Sequence, residues 1–408
     1  MRRVLRILAG LCGVLAAAST FGESACDPYS GGDEAASPVD ASNDVVTIDS
    51  GGADIGDAGC AADVISDPNH CGACGHDCLG GNCNEGKCTP VAIVDFSLAD
   101  DRCAVSDAAG CYWGIAGGIV TDDTWVYFSD VGDQSGGLSG GILRVRKDAG
   151  SLSKPEGVGT IGPIRWIAAD ADFLYWKTGS DVGRIAKTGG PPTYLSTGEL
   201  STQSFEGPTI DGTSVLFGTA TGVRQLAVTS VDAGSVEAFP DSGTVGDVSF
   251  VRASNDVIVW STVGDAGDGI GAHARTGGDV RTVAVNQTVR AFTLEGTVVY
   301  WVNATGEVWR ADTATQTIVP YKLATTDVAA QAIVVAGADL YIATWGSKTN
   351  TAAGINGSVF RTSKMPGTSV KAAEAVFQGP ILVGDLAVDD RAIYFTGWFV
   401  PTVFRLAR

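Results

Sequence analysis

Residues 67–78, DPNHCGACGHDC, put three cysteines and two histidines within twelve positions. Three chemistries use these residue types. Zinc takes Cys and His in sets of four, a C-x-x-C pair can be a redox centre, and closely spaced cysteines in an exported chain form disulfides. Cys71, Cys74, His70 and His76 could ligate zinc, but no second ligand pair follows at a suitable spacing. Instead Cys60, Cys71, Cys74, Cys78, Cys83 and Cys88 fall within 29 glycine-rich residues that have almost no core-forming side chains. So small a segment cannot bury enough apolar surface to fold unaided. Three bridges, each worth roughly 2–4 kcal/mol, make up the shortfall. The expectation is three disulfides and no metal, with the pairing left open, because six cysteines allow fifteen connectivities.

Disulfides need an oxidising compartment, and the chain begins accordingly. MRRVLRILAGLCGVLAAASTFG has three early arginines and then a short apolar run, as a secretory signal peptide does. Arg6 interrupts that run, leaving it too short and too polar to span a bilayer. Residues 1–25 are assigned to the signal peptide. Of ten cysteines, Cys12 departs with it, six lie in the cluster, and Cys103 and Cys111 bracket a short loop. Cys26 is left over. Preceded by Ser24-Ala25, it resembles the acylated cysteine of a bacterial lipobox, although Glu23 stands where that motif has an apolar residue. Lipidation at Cys26 accounts for the odd count. The alternative is nearby cleavage with a free thiol or an intermolecular bridge. The expected location is therefore outside the cytoplasm, either as a lipoprotein of the outer membrane and cell surface or secreted.

Residues 26–59 hold eight acidic residues and no basic one among Gly, Ser and Ala, a composition that predicts a disordered tether. The cysteine-rich stretch that follows, at 60–89, resembles the module of stigma-specific-protein-like sequences, which recurs in predicted secreted proteins of myxobacteria. Cys71, Cys74, Cys78, Cys83 and Cys88 carry the likeness. The resemblance implies an extracellular module and no activity.

The remaining residues, 90–408, repeat. Seven short aromatic or apolar runs start at 125 (WVYF), 173 (FLYW), 214 (SVLF), 257 (VIVW), 298 (VVYW), 339 (DLYI) and 392 (AIYF), spaced 41 to 53 residues apart. A polar turn follows most of them, then a strand with a basic residue, as in GILRVR, GRIAK, EVWRA, SVFRTS and TVFRLA. Helical periodicity is absent. Repeats of this length with about four strands each indicate an all-β fold, a β-propeller, because a ring of sheets buries every face against the next blade. Seven runs predict seven blades, with six as the alternative. Tyr127, Tyr175, Trp176, Trp260, Tyr300, Trp301, Tyr341 and Tyr394 then fill the space between blades. The last repeat stops at its third strand, so PVAIVDFSL at 90–98 should complete the last blade and close the ring. FLYWKTG, VVYWVNA and VIVWSTV also resemble YWTD propellers. Those have six blades and bind proteins or peptides, and the Asp after Tyr-Trp-Thr is missing here.

Catalytic constellations are not found. His273 is the one propeller histidine and is assigned to a loop or third strand, where no Ser-His-Asp set assembles around it. No phosphate loop or dinucleotide fingerprint is present, and a net charge of −19 disfavours nucleic acid. No cofactor is expected; the one weighed is calcium, from Asp130 with Asp133 and Asp265 with Asp268. In a propeller a ligand site lies at the mouth of the channel. Counting back ten residues from the second-strand aromatic, or its equivalent, gives Arg165, Glu206, Arg290 and Gln331 as mouth residues. Asp385 is added from the last blade, and Trp113 with Tyr112 from the Cys103–Cys111 loop. The sequence thus predicts a non-enzymatic surface protein that binds a protein, peptide or glycan through one propeller face. The alternative is a calcium-dependent, lactonase-like hydrolase or a lyase with its site at the channel.

Overall fold

The computed structural model describes residues 63–94, 116–130, 140–162, 164–178, 181–196, 207–219, 222–229, 237–238, 247–263, 268–326, 330–346, 356–398 and 402–408. The signal peptide, the tether, Cys26, Cys60, Cys103, Cys111, Tyr112, Trp113, Asp133, Glu206 and Asp265 lie outside them.

Seven antiparallel sheets succeed one another along the chain and form a seven-blade propeller. Blade 2 shows the plan: an innermost strand Ile167–Ala169, then Phe173–Lys177, Val182–Ala186 and an outermost Thr193–Ser196. The turn after the innermost strand opens on an acidic residue in blades 1, 2 and 7. Asp122, Asp170 and Asp389 each accept backbone N–H groups two and three residues on, the Asx geometry that a short carboxylate imposes. Five residues after each stands a tyrosine. Tyr127 donates its hydroxyl to Asp122 at 2.9 Å, and Tyr175 donates to Asp170 at 2.6 Å.

Second strands alternate their side chains between two neighbouring blades. Leu174 and Trp176 join Tyr127, Ile142 and Val158 of blade 1, while Tyr175 joins Val215, Phe217 and Leu226 of blade 3. The eight aromatics assigned to the inter-blade core are all buried. Two tryptophans lie directly over third-strand glycines. A Cβ on Gly183 would sit 2.3 Å from the Trp176 ring, and one on Gly271 would sit 2.8 Å from Trp260.

The ring closes as the last repeat requires. Val91–Ala92 pairs antiparallel with Thr402–Ala407 and supplies the outermost strand of blade 7. Blade 5 carries a fifth strand, Lys371–Ala372, lent by the long connection of blade 6.

The cysteine-rich segment holds the disulfides Cys71–Cys83 and Cys78–Cys88; Cys74 is also disulfide-bonded, to a partner outside the described residues. Its buried sulfurs share one hydrophobic cluster with Tyr341 and Ala343 of blade 6 and Ile393, Phe395 and Leu406 of blade 7. His76 faces the Cys71 carbonyl with Nδ1 and the Arg408 carbonyl with Nε2 at 3.0 Å. Arg405, in the third strand of blade 7, donates to Leu79 of this segment and to Lys147 and Ala149 of blade 1, all through backbone carbonyls.

Candidate functional site

All seven innermost strands converge on a central cavity of about 270 Å³. Its wall is about evenly polar and apolar, with Ile119, Ile167, Pro208, Phe292, Ile333 and Leu386 at matching places on six blades. Among the described residues two charged side chains line it, Arg252 of blade 4 and Asp385 of blade 7.

The strands reach the channel through bulges. Register shifts lie between Ala116 and Ile119, Val248 and Phe250, Val289 and Ala291, Ala330 and Ala332, and Val383 and Leu386. Each is on an innermost strand, where a bulge re-aims side chains and frees backbone groups. Asp385 sits inside the blade 7 bulge and satisfies two such groups, accepting the N–H of Leu386 at 2.8 Å and the N–H of Ile119 across the ring closure at 3.1 Å. Its own N–H donates to Thr396 Oγ1, and that hydroxyl donates to the Gly117 carbonyl at 3.2 Å. Much of the acceptor capacity of Asp385 is therefore taken up in tying blade 7 to blade 1.

Arg252 is the cation of the channel. Its guanidinium lies 5.6 Å from the Phe292 ring centroid, a cation–π contact, and donates to the Val251 carbonyl at 2.9 Å. Sequence counting passed over it. The cavity rungs lie seven to nine residues before the second-strand aromatic position, and the count of ten stops one rung outside. Of the predicted mouth residues among those described, only Asp385 lines the cavity; Arg165 and Arg290 are exposed and Gln331 is half-buried, none of them on its wall. The Arg165 backbone carbonyl has a structural task, accepting the Ser129 hydroxyl at 3.0 Å and the Gly118 N–H.

The residues weighed for catalysis do not meet. His273 lies in the third strand of blade 4, 6 % exposed and off the channel wall. Asp268 accepts the Thr288 hydroxyl. Among the described residues, the one group of three metal-ligating atoms within 4.8 Å of one another is Cys71, Cys78 and Cys88, whose sulfurs are committed to disulfides. No helix among them is long and apolar enough to cross a membrane.

No family model matches the chain, and no curated protein does. Solved propellers match by shape. A catalytically inactive histidine-to-alanine variant of virginiamycin B lyase from Staphylococcus aureus, crystallised with quinupristin, aligns with TM-score 0.53 and 16 % identity, covering 74 % of this chain and 98 % of that one. The WD40 beta propeller domain of Doa1 aligns with TM-score 0.52 and 12 % identity, covering 72 % and 93 %. The computationally designed Ika8 protein reaches 0.50 at 10 % identity, covering 72 % and 96 %. A lyase, a WD40 domain and a designed protein share the architecture, so the likeness shows the fold and not the activity.

Proposed function

We propose that this chain is an exported cell-surface protein that binds a protein, peptide or glycan through one face of its propeller, with the channel as the centre of recognition. One observation carries the reading. Seven strands build a channel of mixed apolar and polar wall that bears Arg252, while those described residues that could have done chemistry are apart from it or engaged elsewhere. Apolar side chains with a few placed polar groups are the usual make-up of a binding site. The disulfides are compatible with export. A lipid anchor at Cys26 would hold the propeller at a membrane surface by the tether.

The test is to probe peptide and glycan arrays with the intact protein and with Arg252→Ala. Binding to one class that falls at least tenfold in the variant is expected. Retention of all binding in Arg252→Ala would move recognition away from the channel. The lyase likeness is weakened by the position of His273, since the named lyase loses activity when a histidine is replaced.

A further inference from the structure

Residues 91–94 close the ring, and they are bonded along both edges. On one side Val91 and Ala92 pair with Arg405 and Phe404 of blade 7, the Ile93 N–H donates to the Val403 carbonyl at 2.9 Å, and Thr402 donates its hydroxyl to the Val94 carbonyl at 2.7 Å. On the other side the N–H groups of Leu152 and Ser153, in the last connection of blade 1, donate to the carbonyls of Ala92 and Ile93 at 2.9 and 3.0 Å. Ile93 and Val94 are fully buried, in a cluster with Ile119, Val126 and Phe128 of blade 1 and Tyr394 and Val403 of blade 7. One short segment is the joint between the first blade and the last. Every other junction is continuous in the chain.

The cysteine-rich segment anchors that joint. Cys88 stands just before the closing strand, and its disulfide to Cys78 fixes it beside Leu79. Leu79 packs into two clusters, one with blades 6 and 7 and one with blades 7 and 1. Its carbonyl accepts from the Arg405 guanidinium, which also holds the Lys147 and Ala149 carbonyls of blade 1. The bridge therefore joins two arms laid across one seam: the closing strand on the Cys88 side and the Leu79 turn on the Cys78 side. Both cysteines are buried, at 1 and 9 % exposure. The segment around them has almost no core of its own, so loss of the cross-link returns chain freedom to both arms together, and a part of the structure with few buried contacts opens locally.

We infer that Cys78–Cys88 is a redox-dependent clasp of the propeller: the seam between blades 7 and 1 is held shut only once this bridge has formed. The chemistry is thiol–disulfide exchange, with a small disulfide as the oxidant. The thiolate of one cysteine attacks a sulfur of the oxidant and releases one thiolate. The thiolate of the other then attacks the mixed disulfide and releases the second. Cys78 and Cys88 give up two electrons and two protons, and the oxidant leaves as two thiols. While the pair is reduced, blades 2 to 6 still have all their strands, because none of them is supplied by residues 63–94. Only the joint between the ends of the ring loses its anchor. The ring is then completed where disulfides form. This inference does not depend on what the channel binds.

Hydrogen exchange on the intact protein tests this, with blade 4 as the internal reference. The chain is refolded from urea in parallel with oxidised glutathione and with dithiothreitol. The amides of 91–94, 152–153 and 402–407 should exchange roughly tenfold faster or more in the reduced sample, while those of Val257–Val263 and Gly269–Ala274 keep their protection. Exchanging dithiothreitol for oxidised glutathione should restore the seam. Cys78→Ala combined with Cys88→Ala should show the fast seam in both buffers, which separates this bridge from the others that still form in oxidant. Equal protection of the seam in the two samples, or in wild type and the double variant under oxidant, would overturn the inference. An equal loss of protection in blade 4 would overturn it too, because the bridge would then support the whole fold and not one seam.

Discussion

The junction between blades 7 and 1 and the junction between blades 2 and 3 use the same repeat in opposite ways. At the first, every device of the repeat is present. Lys147 pairs with Asp389 at 2.7 Å, Asp385 and Thr396 bridge the innermost strands, and Arg405 grips three backbone carbonyls. At the second, Asp170 bonds to Tyr175 of its own blade, Val228 stands where blade 1 has Lys147, and Lys177 has no counter-charge among the described residues. The first junction joins two ends of the chain and can open; the second is continuous in sequence and has no need of such reinforcement. The seam is bonded for closure, and the continuous junction has room for a residue that stability does not favour.

This contrast can be broken at several points. Arg405→Met should have the largest effect, because it leaves three carbonyls at a three-way contact without their donor. A loss of about 3 kcal/mol or more is expected, read as a lower melting temperature. Lys147→Met should cost about 1–3 kcal/mol at pH 7. Burial pushes the Asp389 carboxyl up, but Lys147 and the N–H groups of Arg391 and Ala392 more than offset this and hold it below its usual value. A depressed carboxylate stabilises above its unfolded pKa and ceases to as pH falls through its folded one. The difference between wild type and Lys147→Met should therefore shrink in acid, below about pH 4.

Lys177→Met should have the opposite sign and raise stability by about 3 kcal/mol at pH 7. Its folded pKa of about 8 lies below its unfolded value. The penalty is therefore full below pH 8 and relieved as pH rises towards about 10.5. Melting curves of wild type and variant should converge over that interval. A loss of stability in Lys177→Met at neutral pH would show that the amine supports the fold and would remove the contrast. The smallest effect is expected at Thr396→Val, about 1 kcal/mol for the lost bonds to Gly117 and Asp385.

The ring was legible in the sequence because its cause is periodic. A short aromatic or apolar run every 41 to 53 residues, with a Tyr or Trp in six of the seven, marks an inter-blade layer, and a repeat lacking its fourth strand marks the closure. The channel was legible only to within a rung. The wall residues keep a constant offset of about eight from the aromatic position, but a count of ten reached Arg165, Arg290 and Gln331 just outside the wall and missed Arg252. Lys177 is visible in FLYWK once seven second strands are aligned, but that it is buried only the packing shows. The cysteine spacing told of disulfides; that the segment lies on blades 6 and 7 depends on Leu79, His76 and Arg405, contacts distant in sequence.

The most direct test of the central claim, that this propeller binds and does not catalyse, is a calorimetric calcium titration of the intact protein with its melting temperature taken with and without chelator. The account predicts no heat of binding and an unchanged melting temperature. One tightly bound ion per chain, with a large stabilisation, would contradict it and restore the calcium-dependent enzyme.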